Sequence, residues 1–516
     1  MVETNPLRKW LITLTVITAS VIELIDTSIV NVALPDMMGN LGATLEDAAW
    51  VVVSYVVANV IVLPMTGWLS SLFGRRRYFV GSIVLFTVAS VACGHASNIW
   101  ELVFFRFVQG AGGGGLLSTS QAILVETFPP KELGLATALF GLGVVIGPTI
   151  GPTLGGVITD NLSWPWIFYV NVPIGIAAVA MSLAFIRDSA HARKRAAADG
   201  WGIALLAVGV GSLQVVLERG DHENWFETPY ITVLATVAAV ILPTFVWHEL
   251  RTPHPVVDLK VLKDRSLALG TVFTFILGFG LYSSVFIFPV FAQSILGFTA
   301  TQTGLILLPG GLATAFMMPI VGKLLQRGFP PQVLNAAGFV LFFFFCLTLS
   351  LSSLGSSQAD FFWPLVIRGV GLSFLFVPLT TVALSNLKGP DIAQGTGLTN
   401  MMRQLGGSFG IALVATYVDR QAWTNRASLL RTLSPYDTAT ASCLKQVTAG
   451  FVSRGVVPLE AQRKAYAALE GTLSRQVALL TFMDAFRLVG VFFLCCIPLL
   501  LLFRRGKGSV AAAPLH

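Results

Sequence analysis

The chain has 516 residues, of which 54% are hydrophobic and only 11% charged, and its mean hydropathy is +0.76. A soluble domain carries about 25% charged residues and could not hide this much apolar surface, which excludes a soluble enzyme with a single anchor and makes lipid the solvent for most of the structure. The formal charge of +7 does not call for nucleic acid, because membrane proteins gather Lys and Arg in the loops of one side.

Windows of about 19 residues place the first helix at 11–33, behind Arg8 and Lys9. It is too long for a signal peptide and lacks a convincing cleavage site, so it is expected to remain as the first span. Ionisable groups in a bilayer cost about 2.5 to 3.5 kcal/mol each on insertion scales, which makes those that persist functional candidates. Glu23 and Asp26 stand three residues apart on one face of this helix, where two carboxyls do not readily both stay charged. They are the candidates for proton coupling, the alternative being that one simply pairs with a buried arginine and never titrates.

A second helix at 49–71 leads into a glycine-bounded basic turn, Gly67 to Gly74 followed by Arg75, Arg76 and Arg77, and a third follows at 78–96. The fourth, 100–124, carries Arg106 a few residues in. Arginine does not deprotonate and can grip a carboxylate, so Arg106 is expected to switch Asp26 between charged and neutral states, or else to form a static pair. Gly110 to Gly115 formally matches a dinucleotide fingerprint but lies inside an apolar helix with no preceding strand, and is rejected. The fifth helix, 136–158, has Gly143, Gly147, Gly151 and Gly155 at a spacing of four, with Gly156, Pro148 and Pro152 beside them. This ridge is expected to act as a hinge or seal between bundles, against the plainer reading of small-residue packing.

The sixth helix is placed at 166–186, and the cluster Arg193 to Arg195 follows it. Helices at 201–218 and 229–249 flank an acidic, turn-rich segment from Asp221 to Pro229. The ninth, 267–291, is rich in aromatic residues, of which Tyr282 and Phe286 are candidates to line a substrate cavity. Helices at 302–325, 332–353, 359–385 and 396–417 bring Arg368 and Arg403, which either neutralise an anionic substrate or serve packing. A long segment, 418–480, precedes the fourteenth helix at 482–503; its charged run from Leu459 to Glu470 reads as an amphipathic outer hairpin that docks a partner, or as a solvated lid. Cys93, Cys346, Cys495 and Cys496 lie in apolar runs and Cys443 in this polar segment, so no disulfide, metal site or bound cofactor is expected. There is no phosphate loop and no H-E-x-x-H, which leaves an ion gradient as the energy source.

With both termini inside, the short outer loops hold only Arg219, whereas the inner segments hold most of the basic residues. Trp10, Trp50, Trp68, Trp100, Trp164, Trp201, Trp247 and Trp363 mark span ends, as interfacial anchors do. Two features recur in the second half: the turn Gly67 to Arg77 has a counterpart in Gly322 to Gly328, and Arg106 with Gly110 has one in Arg368 with Gly371. The organisation expected is a short inner N-terminus (1–10), a six-helix bundle (11–186), an inserted helix pair (187–266), a second six-helix bundle (267–503) and an inner tail (504–516).

The run from Leu24 through Asp26 to Pro35 resembles the first-helix signature of the fourteen-span drug:proton antiporters of the major facilitator superfamily, EmrB/QacA type. Gly67 to Arg77 resembles the superfamily's loop motif, Arg106 to Gly110 its fourth-helix proton-relay motif, and Gly143 to Gly156 its antiporter motif. Trp164 to Gly175, Gly211 to Gly220 and Leu398 to Gly407 extend the match over nearly the whole chain. The resemblance implies an all-α integral membrane fold of two pseudo-symmetric six-helix bundles with two added helices. It further implies proton-coupled export of lipophilic drugs across a bacterial inner membrane, with a periplasmic adaptor of the EmrA type and an outer-membrane channel of the TolC type as partners. Two departures stand out: Ser71 occupies a place where the loop motif usually has an acid, and Glu23 is an acid that the signature does not require, which makes it a candidate to recognise cationic substrates in the cavity as well as to couple protons. A dedicated exporter of a narrow metabolite or fatty-acid-like substrate, and a membrane enzyme or scaffold without flux, are the rival expectations.

Overall fold

The computed structural model describes residues 6–186, 199–433 and 438–502, so the Arg193 to Arg195 cluster lies outside the described residues. They form α1 (Pro6–Leu41), α2 (Leu45–Phe73), α3 (Arg75–Gly94), α4 (Ile99–Thr127), α5 (Leu133–Asn161), α6 (Trp166–Tyr169) and α7 (Asn171–Phe185), then the inserted α8 (Gly200–Arg219) and α9 (Pro229–Arg251). The second half comprises α10 (Arg265–Ser294), α11 (Ala300–Gln326), α12 (Pro331–Leu349), α13 (Phe362–Leu384), α14 (Pro390–Thr432), α15 (Thr438–Val452) and α16 (Pro458–Cys496).

Twelve spans are long and apolar enough to cross a membrane, counting α6 and α7 as one. The two others, α4 and α14, carry the glycine run and many buried polar residues, which lower their hydropathy although they pack centrally. The fold is therefore all-helical, with six spans, an inserted pair and six spans. Lys9 pairs with Glu132, and Arg75 with Glu126, at the end of the bundle that bears the basic turn; this is called the basic end below and its opposite the far end.

The two halves repeat in detail. Gly74 and Gly328 close their turns at φ of 84° and 85°, a region that favours glycine because it has no Cβ. At the start of each turn, Gly67 of α2 lies against Gln394 of α14, and Gly322 of α11 lies against the backbone of Gly134 in α5. These are equivalent contacts, each joining one half to the other at the basic end. Asn400 of α14 donates to Gln121 of α4 at 2.7 Å in the same region.

Three expectations need correction. The ridge of Gly143, Gly147, Gly151 and Gly155 packs against Val21, Leu24, Ile25, Ser28 and Ile29 of α1, within its own half; α5 reaches the other half through Gly134, Gly141 and Thr153 instead. Trp68 and Trp164 are buried rather than interfacial, whereas Trp10, Trp100, Trp201, Trp247 and Trp363 are exposed. Finally, the segment 418–480, expected as a long outer loop with an amphipathic hairpin at its charged run, is mostly helix among the described residues. α14 continues to Thr432 and α16 begins at Pro458, so helices of 43 and 39 residues are present, about 65 and 58 Å long. A hydrocarbon core is about 30 Å thick, so both project well beyond it at the far end, where α15 packs against α16.

Arg426 of α14 bonds Glu470 of α16 at 2.6 Å in this projecting unit, and the hydrogen bond holds the Glu470 carboxyl below the usual carboxylate range. A depressed carboxyl contributes above its unfolded value and loses its contribution as pH falls through the lowered one. Spin labels flanking the pair are therefore expected to gain mobility on acidification, and Glu470→Gln is expected to show that mobility already at neutral pH.

Candidate functional site

The α1 helix enters the first half with Asp26 fully buried, and neighbouring helices supply its partners. Arg106 of α4 places Nη1 2.5 Å from Asp26 Oδ2. The other oxygen, Oδ1, accepts from Gln109 Nε2 at 3.0 Å and from Asn171 Nδ2, on α7, at 2.8 Å. Ser90 of α3 accepts from both amides at 3.1 Å, bracing them. Arg106 itself is fixed by Gln109 Oε1 at 2.7 Å and the Val51 carbonyl at 3.2 Å, with the Tyr55 ring 4.0 Å away. Its Nη2 is buried without a partner. The expected pairing of Arg106 with Asp26 is thus present as a geometry, inside a polar knot spanning α1, α3, α4 and α7.

Glu23, one turn earlier, does not share this knot. Its Oε1 accepts from Asn59 at 2.9 Å and Tyr55 at 3.4 Å on α2, and its Oε2 is buried with no partner. On the other half, Arg403 of α14 lies within electrostatic reach of Glu23 and within hydrogen-bonding reach of Tyr282 on α10. The Tyr282 hydroxyl also donates to Gln404 at 3.3 Å. Arg403 keeps its Nε unpartnered and faces the Phe376 ring at 5.7 Å. Glu23 of the first half and Tyr282 with Arg403 of the second therefore lie within electrostatic reach of each other across the two halves.

The glycine run of α4 makes room for this. A Cβ at Gly113 would meet Tyr55, Glu23 and Asn59, and one at Gly110 would land on the Tyr55 backbone. Close approach, with no nucleotide involved, explains the glycines.

Arg368 occupies on α13 the place that Arg106 has on α4. It is buried beside Cys346 with its Nε unpartnered, and α10, the counterpart of α1, contains no Asp or Glu. Phe286 lies on α10 one turn beyond Tyr282 and is 38% exposed, outside the Glu23 and Arg403 grouping. Around the basic turn, Arg75 finds its acid in Glu126, and Ser71 only donates to its own helix at Trp68.

The family profile described as Major Facilitator Superfamily matches residues 16–411. The chain belongs to that superfamily. It is a transporter, not an enzyme, and a multi-pass membrane protein. It is 34% identical to the multidrug export protein EmrB of Escherichia coli over 80% of this chain and 79% of that one. It is 33% identical to the fatty acid resistance protein FarB of Neisseria gonorrhoeae over 96% and 97%. The colistin resistance protein EmrB of Acinetobacter baumannii is 28% identical over 96% and 97%. In fold, it is similar to the crystal structure of the human organic anion transporter MFSD10, with a TM-score of 0.57 and 14% identity, covering 95% of this chain and all of that one.

Sequence reasoning missed Tyr55, Asn59, Ser90 and Asn171. Each is a polar residue in an otherwise apolar stretch, a signal that was available, but which partner it meets is decided only by how the helices pack.

Proposed function

We propose that this transporter exports lipophilic small molecules from the cytoplasm across a bacterial inner membrane in exchange for protons, by alternating access. The observation that carries this reading is the Asp26 knot: a fully buried carboxylate held by an arginine that cannot release its own proton. A proton taken by Asp26 gives up the ion pair and frees Arg106, so protonation and helix packing are linked. The basic end is the cytoplasmic one, with both termini there.

Substrate occupies the midplane region where Glu23, Tyr282 and Arg403 meet, as expected of a site between two pseudo-symmetric halves. The unpartnered Glu23 Oε2 suits a lipophilic cation. A second reading, export of fatty-acid-like anions, is favoured by the unpartnered Nε atoms of Arg403 and Arg368 and by the likeness to FarB. The helical unit projecting at the far end supports docking of a periplasmic adaptor, which would pass substrate to an outer-membrane channel.

Flux in proteoliposomes under an imposed pH gradient, with a panel of lipophilic cations, neutral compounds and fatty acids, tests the proposal. Gradient-driven export abolished by a protonophore is expected, and gradient-independent flux would refute proton exchange. Glu23→Gln is expected to raise KM for cations at least 10-fold while altering it for neutral compounds less than 3-fold, about 1.4 kcal/mol against under 0.7. A cation KM unmoved by this change would remove Glu23 from the proposed substrate site.

A further inference from the structure

The inserted pair is the part of the fold that the exchange mechanism leaves without a task, and it is fastened to α14 at two levels. Near the far end of α8, Glu218 Oε1 accepts from Gln214 at 2.8 Å and from Ser408 of α14 at 2.9 Å. Beyond that end, the Trp225 indole donates to Thr416 of α14 at 2.9 Å. Asn224 and Trp225 reach this place with φ of 51° and 55°, a region that costs free energy for residues with a Cβ. Gly220 admits the ring, since a Cβ there would stand 2.6 Å from it. Two successive strained residues thus set one indole against α14.

Between these fastenings the two elements do not close. A crevice of about 510 Å³ separates them, walled by Leu217 and Trp225 on one side and by Phe409, Leu413 and Thr416 of α14 on the other. Phe409, Leu413, Thr416 and Arg420 follow one another at i, i+4, i+7 and i+11, along one face of the helix and over about 16 Å of its length. Phe409 and Leu413 are 42% and 44% exposed, so the trough opens to hydrocarbon, and Arg420 stands at its far-end rim.

A second hollow, about 680 Å³, continues from there and shares Trp225, Thr416 and Arg420 with the first. Its charged walls are Asp221 and Glu227 of the turn before α9, Asp419 beside Arg420, and Arg426, which Glu470 already answers. Asp419 also has His222 within electrostatic reach. Among the described residues, Arg420, Asp221, Glu227 and Asp419 form no ion pair. The order along the surface is therefore an apolar trough, one cation at its mouth and three carboxylates past it. A fatty-acid-like anion would meet those carboxylates, and a lipophilic cation would leave Arg420 unanswered. A phosphate followed by an ammonium answers both charges in the order found.

We propose that this crevice binds a zwitterionic phospholipid of the far leaflet. An acyl chain lies along Phe409 and Leu413, the phosphate sits on Arg420, and the ammonium turns toward Asp221, Glu227 and Asp419. Trp225 and the 75% exposed Trp423 flank the headgroup, the level at which indoles favour the interface. Bound there, the lipid fills the gap that side chains leave between the inserted pair and the second half. The site depends neither on proton exchange nor on the exported substrate.

The full-length protein in detergent micelles is irradiated with phosphatidylethanolamine carrying a diazirine midway along one acyl chain, or with the matching phosphatidylglycerol. Labelled peptides are then identified by mass spectrometry. Peptides holding Leu217 and Phe409 to Leu413 are expected to label at least about 5-fold more with phosphatidylethanolamine, the scale of one headgroup charge contact. The peptide holding Phe344, exposed on α12, should take up both lipids equally. Arg420→Gln is expected to lower crevice labelling about 5-fold, and Asp221→Asn combined with Asp419→Asn to erase the preference between the lipids. All three positions are partly or fully exposed, and monodisperse elution checks that the variants fold. Equal crevice labelling by both lipids in the wild type, or labelling unmoved by Arg420→Gln, would overturn the site. Displacement of the ethanolamine probe by tetraphenylphosphonium but not by unlabelled phosphatidylethanolamine would also overturn it, giving the crevice to a lipophilic cation.

Discussion

Asp26→Asn is expected to reduce gradient-driven export at least 100-fold while leaving the protein folded. The substitution keeps the side chain's volume and one acceptor oxygen, enough for Arg106 or for Gln109 and Asn171 but not for all three, and it removes the charge and the ability to take a proton. Breaking a buried pair by deleting one partner typically costs about 3 to 5 kcal/mol; Asn loses the charge but fills the space and keeps one acceptor, whereas Asp26→Ala also opens a cavity, so Asn is the variant of choice and its monodispersity in detergent is measured alongside flux. Substrate counterflow, which needs no net proton movement, should persist in Asp26→Asn at a rate within about 10-fold of native. If uphill export survives the change, Asp26 does not carry the driving proton. The energetic scale is adequate: each charge crossing 100 mV contributes about 2.3 kcal/mol, or roughly a 50-fold substrate gradient.

The second large effect is on folding. Gly110→Val is expected to abolish the monodisperse peak of the detergent-solubilised protein, because its Cβ would occupy the place of the Tyr55 backbone where α4 crosses α2. Overpacking in a core commonly costs about 1 to 3 kcal/mol when a side chain can yield, and here backbone must yield. Gly39→Val, at a glycine with open space around it, is the control and should leave the peak and the thermal midpoint within a few degrees of native. A native-like Gly110→Val would mean that α2 and α4 do not approach as described.

What was legible in the sequence divides along the line between local and non-local physics. Apolar runs gave the spans, those of α4 and α14 included, because burial in lipid acts on each window separately. The turn glycines announced the repeat, and the structure adds that Gly74 and Gly328 share a positive φ. Glu23 and Asp26 were read as a repelling pair from their spacing. Packing instead sends Asp26 toward Arg106 and Asn171 and Glu23 toward Asn59 and the other half, since a turn of helix is enough to give each carboxylate a different neighbour. The ends of α14 and α16 were set too near the membrane for a related reason. Hydropathy reports where lipid stops, whereas a helix continues as long as its backbone bonds and its side-chain pairs allow. Glu218 was passed over as the last residue of a span, because nothing in the linear order reveals that Ser408 lies opposite.

The two long helices have a mechanical consequence. α14 carries Gln394 and Asn400 at the basic end, Arg403 at the centre, Ser408 beside the inserted pair and Arg426 in the projecting unit, all on one unbroken rod. Any tilt of the second half is transmitted without a joint to a tip outside the bilayer, and amplified there by leverage. A protein gripping that tip would feel each tilt directly, so that a rearrangement at the Glu23, Tyr282 and Arg403 grouping would become a displacement readable at the far end.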